Sequence, residues 1–280
     1  MAANQNIVLL AGSCITFLFL VALLKLYLPE ESPLPLLWRF VRKHALSTRS
    51  LFYLLAVSAI IAADILETRF DGTIGDIVHW DFTPLFLQIE GSATRLFQII
   101  HFPMLTYALS FVYLYLFPVM GVAAILAVYT RGEKIVARKL FWGAIFNYVL
   151  ILPFYVLIPV SERWSAGSGQ VSLLMNNISP LLIQGLRPMS GLNNCFPSFH
   201  ASLALTFALI MASSANRRAR RITYAIAGLV VYSTLYLGFH WVLDVFGGVL
   251  FASVCTLMAA YAVENYPMEL ALFRVRWRQR

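Results

Sequence analysis

Seven stretches of the 280-residue chain, at about 7–28, 51–67, 102–130, 140–160, 199–214, 222–239 and 241–262, are apolar over the length a helix needs to cross a bilayer, which is about 20 residues. Runs of that length dictate the solvent. With 60% hydrophobic and 12% charged residues and a mean hydropathy of +0.76, the chain is far from the balance of an ordinary soluble domain. The expected fold class is all-α, a polytopic membrane helical bundle of about seven transmembrane helices, with residues 1–280 forming a single integral membrane domain. The 102–130 stretch exceeds what a straight span requires, and Pro118 in its middle predicts a kink or a tilt. No basic residue precedes the first stretch and no small-residue cleavage site follows it, so it reads as a membrane helix and not as a signal peptide.

The basic residues separate by side. Arg39, Arg42, Lys43 and Arg49 fall in the first connection, Arg131, Lys134, Arg138 and Lys139 in the third, and Arg217, Arg218, Arg220 and Arg221 in the fifth. With Arg274, Arg276, Arg278 and Arg280 of the tail, one side carries 16 of the 21 Lys and Arg, and Arg69, Arg95, Arg163 and Arg187 lie opposite. The positive-inside rule places the basic connections in the cytoplasm and the connections 68–101 and 161–198 outside; the expected location is the plasma (inner) membrane. The net charge of +8 is then a topology signal and an attraction to anionic lipid, so nucleic acid is not expected as a partner. Cys14, Cys195 and Cys255 are far apart in sequence, a spacing that signals neither a metal site nor a disulfide framework.

In the outer connection, Phe82, Leu85, Phe86, Ile89, Ala93, Leu96, Phe97 and Ile100 recur at steps of three and four. This period predicts an amphipathic helix in the outer interface, serving as a lid, as a ramp for lipid, or as packing on the bundle.

Ionisable residues near membrane depth are expensive to bury and mark functional candidates. Asp244 follows His240 by one helical turn, so the carboxylate can accept a hydrogen bond from the imidazole. Such a bond fixes the tautomer and leaves the other ring nitrogen free as nucleophile or base, although the same spacing also serves purely structural bonds. His200 follows Phe196-Pro197-Ser198-Phe199 at the start of the fifth stretch, and the expected topology brings it to the same depth as His240. The Ser198 hydroxyl and the free N–H groups of a helix start suit a phosphate. His200 has no acidic residue within a turn, so the division of labour reads as His240 nucleophile and His200 acid, then base.

Phe196-Pro197-Ser198-Phe199-His200, followed by His240-Trp241-Val242-Leu243-Asp244, resembles the second and third motifs of the type-2 phosphatidic acid phosphatase superfamily over roughly residues 100–265. The resemblance implies a catalytic core in which His240 attacks phosphorus, Asp244 orients it and His200 protonates the leaving group. It further implies a phosphohistidine, a lipid-linked phosphate as substrate, and no metal or cofactor. Two departures stand out. The family's third motif opens with Ser-Arg, whereas Ser233 is followed here by Thr234; its first motif, a lysine with Arg-Pro seven residues on, is matched by Arg187-Pro188 but has Pro180 in the lysine position. Both, with the form of the second motif, resemble most the inositol phosphorylceramide synthase (aureobasidin-resistance) branch and its prokaryotic relatives. Arg163, just past the fourth stretch, and Arg187 are the cations able to replace the missing phosphate ligands.

The expected function is thus a lipid phosphatase or phosphotransferase working at the extracytoplasmic face. The alternatives are an inositol-phosphoryl or other phosphoalcohol transferase, and a transporter or scaffold that keeps the fold without turnover. No inverted repeat or pair of broken apolar helices points to transport.

Overall fold

The computed structural model describes residues 2–44, 80–167, 169–177 and 192–265, with side chains from 12 to 42 in the first segment. The expected span 51–67, Arg187 and the basic tail lie outside the described residues. In chain order the helices are α1 (Ala2–Tyr27), α2 (Pro33–His44), α3 (Thr83–Glu90), α4 (Pro103–Phe111), α5 (Phe117–Thr130), α6 (Lys134–Leu157), α7 (Phe199–Met211), α8 (Arg217–Tyr236) and α9 (Val242–Asn265), with short 3₁₀ turns between some of them. Among the described residues there is no strand beyond a single bridge between Val160 and Asn194.

The fold class is as expected, an all-α bundle. Among the described residues three helices are long and apolar enough to cross a membrane, Pro103–Thr130, Lys134–Leu157 and Val242–Asn265, and Gly12–Tyr27 and Phe199–Met211 are shorter apolar helices. The stretch 222–239 is carried by α8, whose opening turns hold Arg217, Arg218, Arg220 and Arg221. Large apolar side chains such as Leu18, Met104, Phe246, Leu257 and Tyr261 face outward, as a bilayer-facing surface requires.

Pro103–Thr130 runs through Pro118 without a break because a π turn over Val112–Leu116 precedes it. Pro118 lacks an N–H, and Phe117 donates to the carbonyl of Val112, five residues back, which absorbs the misfit in the ladder. Helix α7 occupies the centre, packed on α5, α6, α8 and α9. Small residues permit this: Ala201, Ala204 and Ala208 are buried at the seams, and a Cβ on Gly143 would lie 2.8 Å from Ile210 Cδ1. Between lipid-solvated helices burial gives little net drive, so packing and polar contacts hold them together. Asn147 of α6 donates to Thr206 at 3.0 Å and accepts from Ser202 at 2.5 Å, interhelical bonds worth roughly 0.6–1.7 kcal/mol each in such a setting.

The two ends of the bundle differ. At one end, the α5–α6 and α7–α8 turns carry the basic residues, with Arg131 on Glu30 at 2.7 Å and Asn216 donating to the Tyr27 carbonyl at 3.1 Å. Helix α2 lies beside this end. Span lengths alone do not anticipate it, but it is amphipathic, with Leu36 buried and Trp38 exposed. The opposite end gathers the end of α6, the starts of α7 and α9, and the segment 80–100. That segment is not one amphipathic helix over 82–100. Gly91, at φ +56°, ends α3, and the chain resumes as a 3₁₀ turn over Ala93–Gln98. Phe86 points inward against Phe196 and Trp241, with ring centroids 5.4 and 5.9 Å away, while Leu85 and Ile89 face out.

Candidate active site

The connection from α8 to α9 is locked before any side chain acts. Thr234 O accepts from the N–H groups of both Phe239 and His240 at 3.2 Å, Arg163 N donates to Phe239 O at 3.0 Å, Trp164 N to Gly238 O at 3.1 Å and Leu174 N to Leu237 O at 3.1 Å. Gln98 joins the same clasp, donating to Tyr236 O at 2.9 Å and Ser172 O at 2.8 Å. Gly238 sits at φ +88°, where a Cβ would also collide with the Ser172 carbonyl, so only glycine fits.

His240 emerges from this clasp. Its Nδ1 lies 3.2 Å from Asp244 Oδ2, and the same oxygen accepts from Trp241 N at 2.8 Å. Asp244 is fully buried and His240 is 6% exposed, so the expected orienting pair is present in a dry setting where its bond is strong. A third group lies beside it. Cys195 Sγ is 3.3 Å from His240 Nδ1 and donates to Phe239 O at 3.3 Å. Burial, reinforced by the charge of Asp244, pushes this thiol well above its usual range, so it is protonated.

The second histidine approaches from α7. The His200 and His240 rings are 6.0 Å apart between centroids. Tyr113, turned toward α7 from the π segment, stacks on His200 at 4.2 Å and on Phe239 at 4.9 Å, and Phe117 lies on His200 at 4.7 Å. Aromatic contacts thus hold the ring in place while leaving its nitrogens to the site. Ser198 is the N-cap of α7 and accepts from Ala201 N at 3.3 Å. Its own N–H donates to Asp244 O at 3.0 Å, tying the two motifs backbone to backbone. The N–H groups of Phe199 and His200, at the first two helical positions, have no carbonyl within the helix to donate to. Gly248 and Gly247 allow this approach: a Cβ on Gly248 would lie 2.8 Å from Ser198 O, and one on Gly247 2.6 Å from the Phe196 ring.

Arg163 is 1% exposed. Its guanidinium lies 4.5 Å from the centre of the Trp241 ring and donates to Gly91 O at 3.1 Å. Burial lowers its pKa from the ordinary value and the charge of Glu90 opposes that shift; a guanidinium stays cationic under such conditions. Glu90 accepts from Leu243 N at 3.1 Å and also binds Thr94. At position 234, Thr234 turns its hydroxyl back to Val231 O at 2.7 Å, so no cation reaches the site from there.

The structure therefore gathers His200, His240, Asp244 and Ser198 at one end of the bundle. It packs Arg163 against the residue that follows His240. The sequence model of the PAP2 superfamily matches residues 76–258, from just before α3 to near the end of α9. The chain belongs to this superfamily. Its members are phosphatases or phosphotransferases, so chemistry on lipid phosphate is supported at that level. No curated protein and no solved structure matches the chain. Within the superfamily match, Tyr113, Cys195 and Gln98 are site neighbours that motif reasoning misses. Tyr113 and Phe117 do stand four apart in an apolar run, but nothing in that spacing announces a π turn.

Proposed function

We propose that this PAP2 superfamily protein cleaves a lipid-linked phosphate at the extracytoplasmic face through a phosphohistidine on His240. The observation that carries the reading is the pair of imidazoles facing one another at 6.0 Å, one bonded to a buried carboxylate and the other with no acidic partner among the described residues. With Nδ1–H given to Asp244, the lone pair of His240 Nε2 attacks phosphorus. The P–O bond to the lipid alcohol breaks, and His200 supplies the proton that the departing oxygen takes up. His200 then removes a proton from water or an alcohol, which attacks the phosphohistidine and frees His240.

Charge stabilisation comes from the N–H groups at the start of α7 with the Ser198 hydroxyl. Arg163 adds positive potential from its place on Trp241, and Arg187 is the second cation available to the phosphate. The histidine route itself calls for no metal.

A transferase reading has its own support. Thr234 and Pro180 replace two cationic ligands of the superfamily motifs, as in the inositol phosphorylceramide synthase branch, and the chemistry of His200 serves an alcohol acceptor as well as water. The deciding experiment incubates purified protein with lipid phosphates and phosphodiesters in oxygen-18 water, with and without inositol or lipid alcohols. Label in released phosphate identifies the phosphatase, and a new phosphodiester at its expense identifies the transferase. His240→Ala should abolish both and any acid-labile phosphoenzyme; a phosphohistidine that persists in this variant would reverse the assignment, and no product from folded protein would favour a scaffold or transporter.

A further inference from the structure

Cys195 has no part in the phosphohistidine chemistry, yet it completes a set of donors around the back of His240. One sulfur, one ring nitrogen and one carboxylate oxygen lie within 4.8 Å of one another, with Sγ–Nδ1 at 3.3 Å and Nδ1–Oδ2 at 3.2 Å. A tetrahedral zinc ion with ordinary bond lengths holds such atoms roughly 3.3–3.6 Å apart, so the side chains need little movement. Asp244 Oδ1 is a buried oxygen with no hydrogen-bond partner among the described residues. With Oδ2 held by the N–H of Trp241, the kind of outer contact that orients metal-binding carboxylates, the carboxylate has Oδ2 at ligand distance from Nδ1 and a second, unpartnered oxygen to offer a cation.

We infer that Cys195, His240 and Asp244 form a binding site for a thiophilic divalent cation such as Zn²⁺, and that its occupation switches the enzyme off. This rests on the proposed role of His240. The tautomer explains the effect. In the active form Nδ1 carries the proton and Nε2 the lone pair that attacks phosphorus. A cation can bind Nδ1 only after that nitrogen gives up its proton; the proton moves to Nε2, the Nδ1 lone pair goes to the cation, and the nucleophilic lone pair on Nε2 is lost. Cys195 releases its proton as the thiolate binds, the carboxylate keeps its charge, and one proton leaves for each cation bound. No electron changes hands. Chloride, water or a substrate oxygen completes the fourth position.

The test uses the purified full chain in detergent. Cadmium chloride is titrated in while the near-ultraviolet thiolate-to-cadmium charge-transfer band is recorded, followed by competition with zinc chloride. One Cd²⁺ per chain is expected, displaced by zinc. A Cys14→Ser, Cys255→Ser double variant should keep the band, and Cys195→Ser should lose it. Turnover should fall in step with occupancy and return with a chelator; in Cys195→Ser, measured against its own metal-free rate, the inhibiting concentration should rise at least tenfold. Absence of the band in folded wild-type protein overturns the site, as does equal sensitivity of Cys195→Ser. If the band behaves as expected but the metal-free protein turns over no phosphate ester, the cation site stands and the catalytic reading of His240 fails.

Discussion

Gly248→Ala tests whether the approach of α9 to the start of α7 sets the chemistry. The new Cβ would lie 2.8 Å from Ser198 O, 3.1 Å from Ala201 Cβ and 3.3 Å from Ser202 N. None of these is the flexible end of a side chain, so the helices must part by about 0.6 Å before the closest contact reaches the 3.4 Å of ordinary packing. The same seam carries the bond from Ser198 N to Asp244 O at 3.0 Å, which would stretch toward about 3.6 Å, past the useful range. Overpacking of this kind costs about 1–3 kcal/mol, and the loss of the bond about 1 kcal/mol. Alanine's better helix propensity returns about 1 kcal/mol. The net destabilisation is about 1–3 kcal/mol. Since a misplacement of about 1 Å can cost 10²-fold in rate, roughly tenfold is expected here in kcat/KM. Gly228→Ala is the control, because its Cβ meets nothing within 4 Å; it should retain wild-type turnover and melt no lower. Initial rates on a lipid phosphate in detergent, with thermal unfolding of the same preparations, measure both. A Gly248→Ala protein with wild-type kcat/KM and the stability of the control would refute the reasoning.

Other outcomes follow from the same geometry. Asp244→Asn keeps an oxygen for the N–H of Trp241 but loses the charge that fixes the His240 tautomer, so kcat should fall by about 10²–10⁴ with little change in melting temperature; near-normal kcat would sink the orienting role. Tyr113→Leu removes the stack on His200 and should lower kcat about tenfold on alkyl esters, less on an activated ester whose leaving group needs no proton. Tyr113→Phe should restore the rate, and equal losses on both substrates would assign Tyr113 to packing alone. Against a Cys14→Ser background, cysteine at Leu192 should react with an impermeant maleimide in intact cells and cysteine at Lys134 should not. The reverse pattern would invert the orientation proposed for the bundle while leaving the site chemistry as it is.

Some of this was readable from sequence because the physics involved is local. A bilayer forces backbone polar groups to be satisfied within each span, so apolar length alone announces helices. Four residues separate His240 from Asp244, and the expected contact is present at 3.2 Å, although His240 lies in the connection just before α9 and reaches Asp244 from there and not along one helix face. Gly247 and Gly248 lie where α9 meets the start of α7, and a Cβ at either would meet Phe196 or Ser198. The break in 82–100 was harder. Apolar period continues through Gly91, and what ends the helix is the left-handed conformation there, which periodicity does not register.

What escaped sequence reasoning is held by tertiary contacts, and mostly by backbone. Cys195 reaches His240 across 45 residues of chain, with no spacing to predict it. The position of His240 itself depends on carbonyls and amides of Thr234, Arg163, Trp164 and Leu174, groups every residue type carries. A motif search sees the imidazole and the carboxylate but not the clasp that aims them. The departure at Thr234 gains its meaning from this. Its side chain contributes no cation, while its carbonyl receives both Phe239 and His240, so this position can lose its charged ligand and still anchor the histidine. A site built this way tolerates changes in the phosphate-binding side chains more readily than changes at Gly238 or Gly248, where the backbone contacts themselves would have to move.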